Sequence, residues 1–137
     1  MAIRSYELLI NSLVRPFTVA SAKTATKFYA VKHSGADDAI EKAAAVGDDT
    51  IGISQDTGTA GQVCRVALYG AGVSKCVVGA AGIARGEFAK WAAGGGVGAT
   101  IGGGTTKLVV WGQALQTGVS ADNVALNLGM AAPTVGS

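Results

Sequence analysis

Two short stretches constrain this chain more than any other feature. Gln62–Tyr69 reads QVCRVALY and Asn123–Leu128 reads NVALNL. In both, apolar residues fall on every second position: Cys64, Val66 and Leu68 in one, Val124, Leu126 and Leu128 in the other. A period of two places one set of side chains on a core and the other on the opposite face, which is the signature of a strand. Further short runs repeat the theme between glycines: Lys27–Lys32 (KFYAVK), Thr50–Ser54 (TIGIS), Val73–Val78 (VSKCVV), Glu87–Trp91 and Lys107–Leu115. Strands at this spacing, with turn residues between them, predict an all-β fold, a small single-domain β-barrel or sandwich.

Two segments compete with that reading. Ala36–Val46 (ADDAIEKAAAV) has the alanine content of a helix, but its apolar spacing is poor, so a strand at Ala39–Lys42 is preferred. Gly79–Gly86 (GAAGIARG) fits a short helical turn or a loop. Gly70-Ala71-Gly72 reads as a turn that makes Val73–Val78 the hairpin partner of Gln62–Tyr69. A shift of sixty positions superimposes Gly52 on Gly112, Thr57 on Thr117, Gly58 on Gly118 and Leu68 on Leu128. If this echo is more than low complexity, two similar hairpin-like units share one barrel; two repeats are too few for a solenoid.

The glycine tract at 91–107, WAAGGGVGATIGGGTTK, invites a phosphate-loop reading and fails it. A P-loop ends in Gly-Lys followed by Ser or Thr. Here Gly104 is followed by Thr105, Thr106 and Lys107, and Leu108 comes next. Gly96-Val97-Gly98 lacks the third glycine of a dinucleotide fingerprint, and the following KLVVW has the makeup of a strand, not of a helix. The tract reads as a Gly-rich loop between strands.

Charge excludes another class. The net charge is +2, only 15% of residues are charged, and the basic residues are scattered, so no patch exists to neutralise nucleic-acid phosphates. Small side chains cover the surface instead, and such a surface suits packing against protein. No apolar run reaches the 18 residues of a membrane span, and MAIRSYELLINSLV is interrupted by Glu7 and Asn11, unlike a signal peptide. Cys64 and Cys76 lack zinc-site spacing; two reduced, half-buried thiols are expected, with a bridge between neighbouring strands as the alternative.

No catalytic constellation emerges. Gly52-Ile53-Ser54-Gln55-Asp56 lacks the second glycine of a nucleophile elbow. His33, the single histidine, sits in a polar turn, KHSGADD. The pairs Asp37-Asp38 and Asp48-Asp49 lack the length and closing Glu of a calcium loop and read as solvated turns. No catalytic, cofactor-binding or metal residues are assigned, and no cofactor is expected.

What remains points to contacts with protein. Residues 1–16 form an apolar N-terminal arm ahead of a β domain at 17–137. Leu8, Leu9, Ile10, Leu13 and Val14 would each gain about 1.5 kcal/mol or more on burial, so the arm is expected on a neighbouring subunit. The candidate interface residues are Arg4, Tyr6, Leu8, Leu9, Ile10, Arg15, Phe17 and Trp91.

Three stretches carry a resemblance. They are FYAVKHSGADDAIEKAAAVGDDTIGIS, TAGQVCRVALYGAGVSKCVVGAAGIARGEF and VVWGQALQTGVSADNVALNLG, spanning Phe28 to Gly129. Their layout of small residues, turns and short strands resembles the capsid cement, or head decoration, proteins of tailed bacteriophages; the apolar start, YELLINSLVRP, departs from it. The resemblance implies a structural virion protein, not an enzyme, made in the bacterial cytoplasm and placed on the outer surface of the capsid. Its partners would be the major capsid protein and further copies of itself, a homotrimer before a dimer, with no nucleic acid or membrane contacted directly. The alternatives are another phage structural β-protein, of tail tube or baseplate, and a small-ligand-binding barrel.

Overall fold

The computed structural model describes residues 14–43, 50–68, 70–91, 97–99 and 110–128. Every regular element among them is a strand. The first seven are β1 (Val14–Val19), β2 (Thr24–Ala25), β3 (Ala30–His33), β4 (Ala39–Lys42), β5 (Thr50–Ser54), β6 (Gly58–Thr59) and β7 (Val63–Leu68). Then come β8 (Val73–Val77), β9 (Phe88–Trp91), β10 (Val97–Ala99), β11 (Val110–Ala114) and β12 (Asn123–Asn127). The all-β expectation holds, and Ala39–Lys42 is a strand, not a helix.

β1-β4-β3-β5-β7 close into a barrel, sealed by the parallel pair β1–β4 and the antiparallel pair β1–β7. Its interior is filled by Phe17, Val19, Ala25, Val31, Ile40, Cys64 and Val66, with Ile51 and Leu68 packed against them. These are the inward positions of alternating strands: Cys64 and Val66 point in, while Val63 and Arg65 point out. A five-stranded barrel leaves room only for side chains, so the lumen is core.

β2 and β6 pair separately, and the last five strands form a second sheet, β10-β9-β11-β12-β8. Written with its counterparts, that order is β4-β3-β5-β7-β1, the same as in the barrel. The sixty-residue echo is therefore a duplication of the whole unit, not of one hairpin, and it gives a closed barrel and an open sheet in place of two hairpin-like units within one barrel. Fine detail repeats as well. The β3–β5 register skips Ile51 between Val31↔Gly52 and Lys32↔Thr50, and the β9–β11 register skips Trp111 between Ala89↔Gly112 and Lys90↔Val110. Both bulges sit beside a glycine that has no alternative: a Cβ on Gly52 would collide with the Ala67 carbonyl, and one on Gly112 with the Asn127 carbonyl. The turns match too. Lys27 N–H donates to Thr57 Oγ1 and Arg85 N–H to Thr117 Oγ1, both at 3.1 Å. Thr59 N–H donates to Gln62 Oε1 (2.8 Å) and Val119 N–H to Asp122 Oδ2 (3.0 Å). The pair β2–β6 has its counterpart in the single bridge Ile83↔Gly118.

The units share a seam. Outward-facing Ala30, Ile53 and Ala67 of the barrel, with Ala43, belong to one buried cluster with Ala71, Cys76, Val78, Ile83, Ala89, Ala114, Val124, Leu126 and Leu128. Ala67 does point away from the barrel interior, as its alternation requires, yet it is buried beneath the second unit. The seam also explains a failed expectation. β7 and β8 are not hairpin partners: β7 pairs with β1 and β5, and β8 with β12. Gly70-Ala71-Gly72 is the crossing between units, held by Gly70 N–H donating to the Leu128 carbonyl (2.8 Å) and Leu128 N–H to the Gly72 carbonyl (2.7 Å).

Other boundaries shift for local reasons. Phe28 has φ +66°, so Lys27–Tyr29 turn and the strand starts at Ala30. The glycine tract is not loop throughout, because Val97–Ala99 pairs with Trp91–Ala89 as β10. The turn at Gly47-Asp48-Asp49 lies outside the described residues. Val14–Pro16, expected in the arm, pair with Ala67–Arg65, so they belong to the barrel and a boundary at residue 17 cuts through β1. The thiols of Cys64 and Cys76 are free and fully buried in different cores, not half-buried.

Two predictions follow from the duplication and its seam. Gly61 (φ +83°) has as its counterpart Ala121 (φ +72°), a left-handed conformation that strains a Cβ. Ala121→Gly should raise stability by about 0.5–1 kcal/mol and Gly61→Ala should lower it by about 1 kcal/mol, read from urea unfolding midpoints. Ile53→Ala, which hollows the seam, should cost about 2–4 kcal/mol.

Candidate interaction surface

With its lumen filled, the barrel offers its outside. Of β1, only Thr18 and Val19 pair with β4, through Ala39 and Ile40. The stretch Val14–Phe17 therefore has no strand on that side among the described residues. Thr18 N–H donates to the Asp38 carbonyl (2.8 Å). Backbone groups alternate along a strand, so those of Pro16 face the same open side. Proline has no N–H to offer there. On the second sheet Val77 N–H, the counterpart of Thr18 N–H, donates to the Phe28 carbonyl at 3.0 Å, and Lys75 stands exposed two residues earlier. Proline and lysine at unpaired strand stretches discourage indiscriminate pairing with other chains.

Beside the open part of β1 lies a groove of about 700 Å³, lined by Val14, Arg15, Pro16, Phe17, Thr18, Asp38 and Val63. A second hollow of about 530 Å³ shares Asp38 and adds His33, Gly35, Ala36 and Asp37 from the β3–β4 turn. Val63 is 62% exposed. Val73, Leu115 and Val119 are also exposed, but none of them lines either hollow.

The expected contact residues divide. Arg15 is exposed on β1 at the groove wall. Phe17 is a correction: it is 9% exposed, points into the barrel and meets His33 edge-on at 6.2 Å between ring centroids. Its alternation with Val19 decides this, and the inward side of β1 was not assigned from sequence. Trp91 ends β9, its backbone paired with Val97. Arg4, Tyr6, Leu8, Leu9 and Ile10 lie outside the described residues. Of the groove residues, Val14 and Pro16 fall within the arm expected at a contact, whereas Asp38 and Val63 carry no such mark in the sequence, because an open strand side is a property of pairing.

Charged groups on this unit serve structure. Glu41 accepts from Ser34 Oγ at 2.7 Å and faces Lys23 (3.8 Å) and Lys32 (3.6 Å). The Ser34 hydrogen bond and then the lysines hold its carboxyl below the usual range, against some desolvation. Asp56 accepts from Arg65 three times, from the backbone N–H (2.9 Å), Nε (3.0 Å) and Nη2 (2.9 Å). Those bonds hold its carboxyl down to about 2. Burial pushes both thiols up, most strongly Cys76. His33 is exposed at the end of β3, and Asp37 and Asp38 are exposed in the turn that follows. Among the described residues no group of three or more His, Cys, Asp or Glu side chains is gathered as a metal would need.

No protein-family model matches the chain, and no curated protein does. Among solved structures it is similar to the head fiber gp8.5 N base of bacteriophage phi29, with a TM-score of 0.64 and 19% identity. The likeness covers 88% of this chain and 98% of that one. At that identity it is a likeness of fold.

The duplication sharpens a test of the ion pair. Gln116 stands where Asp56 does and accepts Ala125 N–H at 3.0 Å, as Asp56 accepts Arg65 N–H. Asp56→Gln should keep the backbone bond and lose the charge together with the second acceptor oxygen, the one that takes Arg65 Nη2. A carboxyl depressed in the folded state adds stability that is complete above its unfolded value near 4 and lost as pH falls toward 2. Melting curves from pH 6 to pH 2 should therefore fall less steeply below pH 4 in Asp56→Gln than in the parent. Asp56→Ala should be the least stable of the three at neutral pH.

Proposed function

We propose that the chain is a non-enzymatic structural protein of a tailed-phage head, bound to the outer surface of the capsid, where it decorates and cements neighbouring capsomers. The observation that carries this reading is the likeness to a phage head fiber base over nearly the whole length of both chains. The sequence resemblance to head decoration proteins supports it independently.

The physics of the surface fits the role. The barrel interior is filled by its own side chains, which argues against a small-ligand-binding barrel. A weakly charged exterior built from small residues can lie close against other protein with little desolvation cost. The major capsid protein is the proposed partner, and the chain itself is proposed to assemble as a closed homotrimer. An oligomer gripping several capsid subunits converts weak contacts into firm attachment, because each later contact forms at high effective concentration.

A cement protein stabilises whatever it binds only when intact, by roughly RT ln(1 + [L]/Kd) at each site. Heads stripped of the protein should release their DNA at a lower temperature, and adding it back should restore the parent value. An unchanged release temperature would remove the cementing role while leaving decoration. Finding the protein in tails and not in heads of purified particles would move it to a tail tube or baseplate.

A further inference from the structure

We infer that the groove beside β1 receives the apolar N-terminal segment, residues 6–13, of a second copy of this chain. The inference rests on the proposed self-association and adds where the contact is made. Three observations converge on it.

The first is the site's shape. β1 is paired with β7 from Val14 to Thr18 on one side, but on the other, among the described residues, with β4 only at Thr18 and Val19. The four residues before them, Val14–Phe17, line a groove that runs over the outer face of β1, from Asp38 on the open side to the exposed Val63 of β7 on the other, with partly buried Val14 at one end. Pro16 withholds the backbone donor that a full strand ladder would use. An occupant of this groove is therefore held chiefly by side-chain burial, which favours an apolar segment over any chance strand.

The second is the occupant's chemistry. Residues 6–13 read YELLINSL, with Leu8, Leu9, Ile10 and Leu13 as apolar side chains. The segment and its approach carry one acid, Glu7, and one base, Arg4; the groove carries one base, Arg15, and one acid, Asp38.

The third is reach. Thirteen residues precede Val14 and can span up to roughly 45 Å when extended, enough to cross to an adjacent protomer. A two-residue hairpin back onto the same β1 would need a glycine or two consecutive residues at positive φ, which Ile-Asn-Ser-Leu at 10–13 do not supply.

The test is disulfide trapping, feasible because Cys64 and Cys76 are buried and stay out of the reaction. Leu8→Cys, Leu9→Cys and Ile10→Cys are each combined with Val63→Cys in the full chain and oxidised. The control replaces Val63→Cys by Val119→Cys, at a site just as exposed on the other unit. At least one pair should give a covalent oligomer on non-reducing gels in five-fold or greater excess over its control. Val63→Asp should also lower the oligomer's mass by light scattering. A disulfide confined to monomers would overturn the inference in favour of a self-folded segment. An oligomeric parent without trapped product above control would overturn the groove and leave self-association standing. A parent that is monomeric at high concentration would overturn both.

Discussion

Everything in this molecule depends on the outer face of the first barrel being a floor and not a surface. Ile53 fills the seam, while Ala30 and Ala67 are small enough to let the second sheet come close. Alanine at these outward positions is what the contact requires, since larger side chains would hold the sheets apart. The second unit has no closing β1–β4 pair among its described residues, and its Val77 N–H is satisfied by the Phe28 carbonyl of the first. The barrel therefore completes its neighbour's core and also supplies a backbone partner that the neighbour lacks.

Duplication explains which residues tolerate change. The two units share a bulge, a pair of sterically obligatory glycines and a Thr-Gly turn, but few other identities. Gly58 and Gly118 show why. A Cβ on the first would lie 2.6 Å from Cys64 Sγ, and on the second 2.5 Å from Val124 Cγ1. The side chain beneath differs while the need for space above it does not. Asp56 and Gln116 make the same point for polar groups: each accepts the equivalent backbone N–H, of Arg65 and of Ala125, and only the former also pairs its charge with Arg65.

The packed lumen directs function outward. A barrel of five strands encloses Phe17, Val31, Ile40 and Val66 and has no room for a ligand. The proposed contacts with other protein therefore belong to its rim and edges. There, Pro16 and Lys75 restrain indiscriminate strand pairing, and the groove at Val63 leaves apolar surface in the open.

Sequence alone determined what depends on neighbours along the chain. The period-two alternation of Cys64, Val66, Val124 and Leu126 marked strands and their inward faces, because a pleated backbone sends successive side chains to opposite sides. It also carried the sixty-residue echo, since glycine is irreplaceable wherever a carbonyl or side chain crowds the Cβ position. Tertiary structure decided what depends on partners far apart in sequence. A glycine turn after β7 reads as a hairpin, yet both β7 and β8 pair elsewhere, because completing the five-stranded barrel and the five-stranded sheet satisfies more backbone groups and buries more apolar surface than one local hairpin. Phe17 became core, Ala67 became seam and the open side of β1 became a groove for the same reason: pairing decides which faces and edges are left for water.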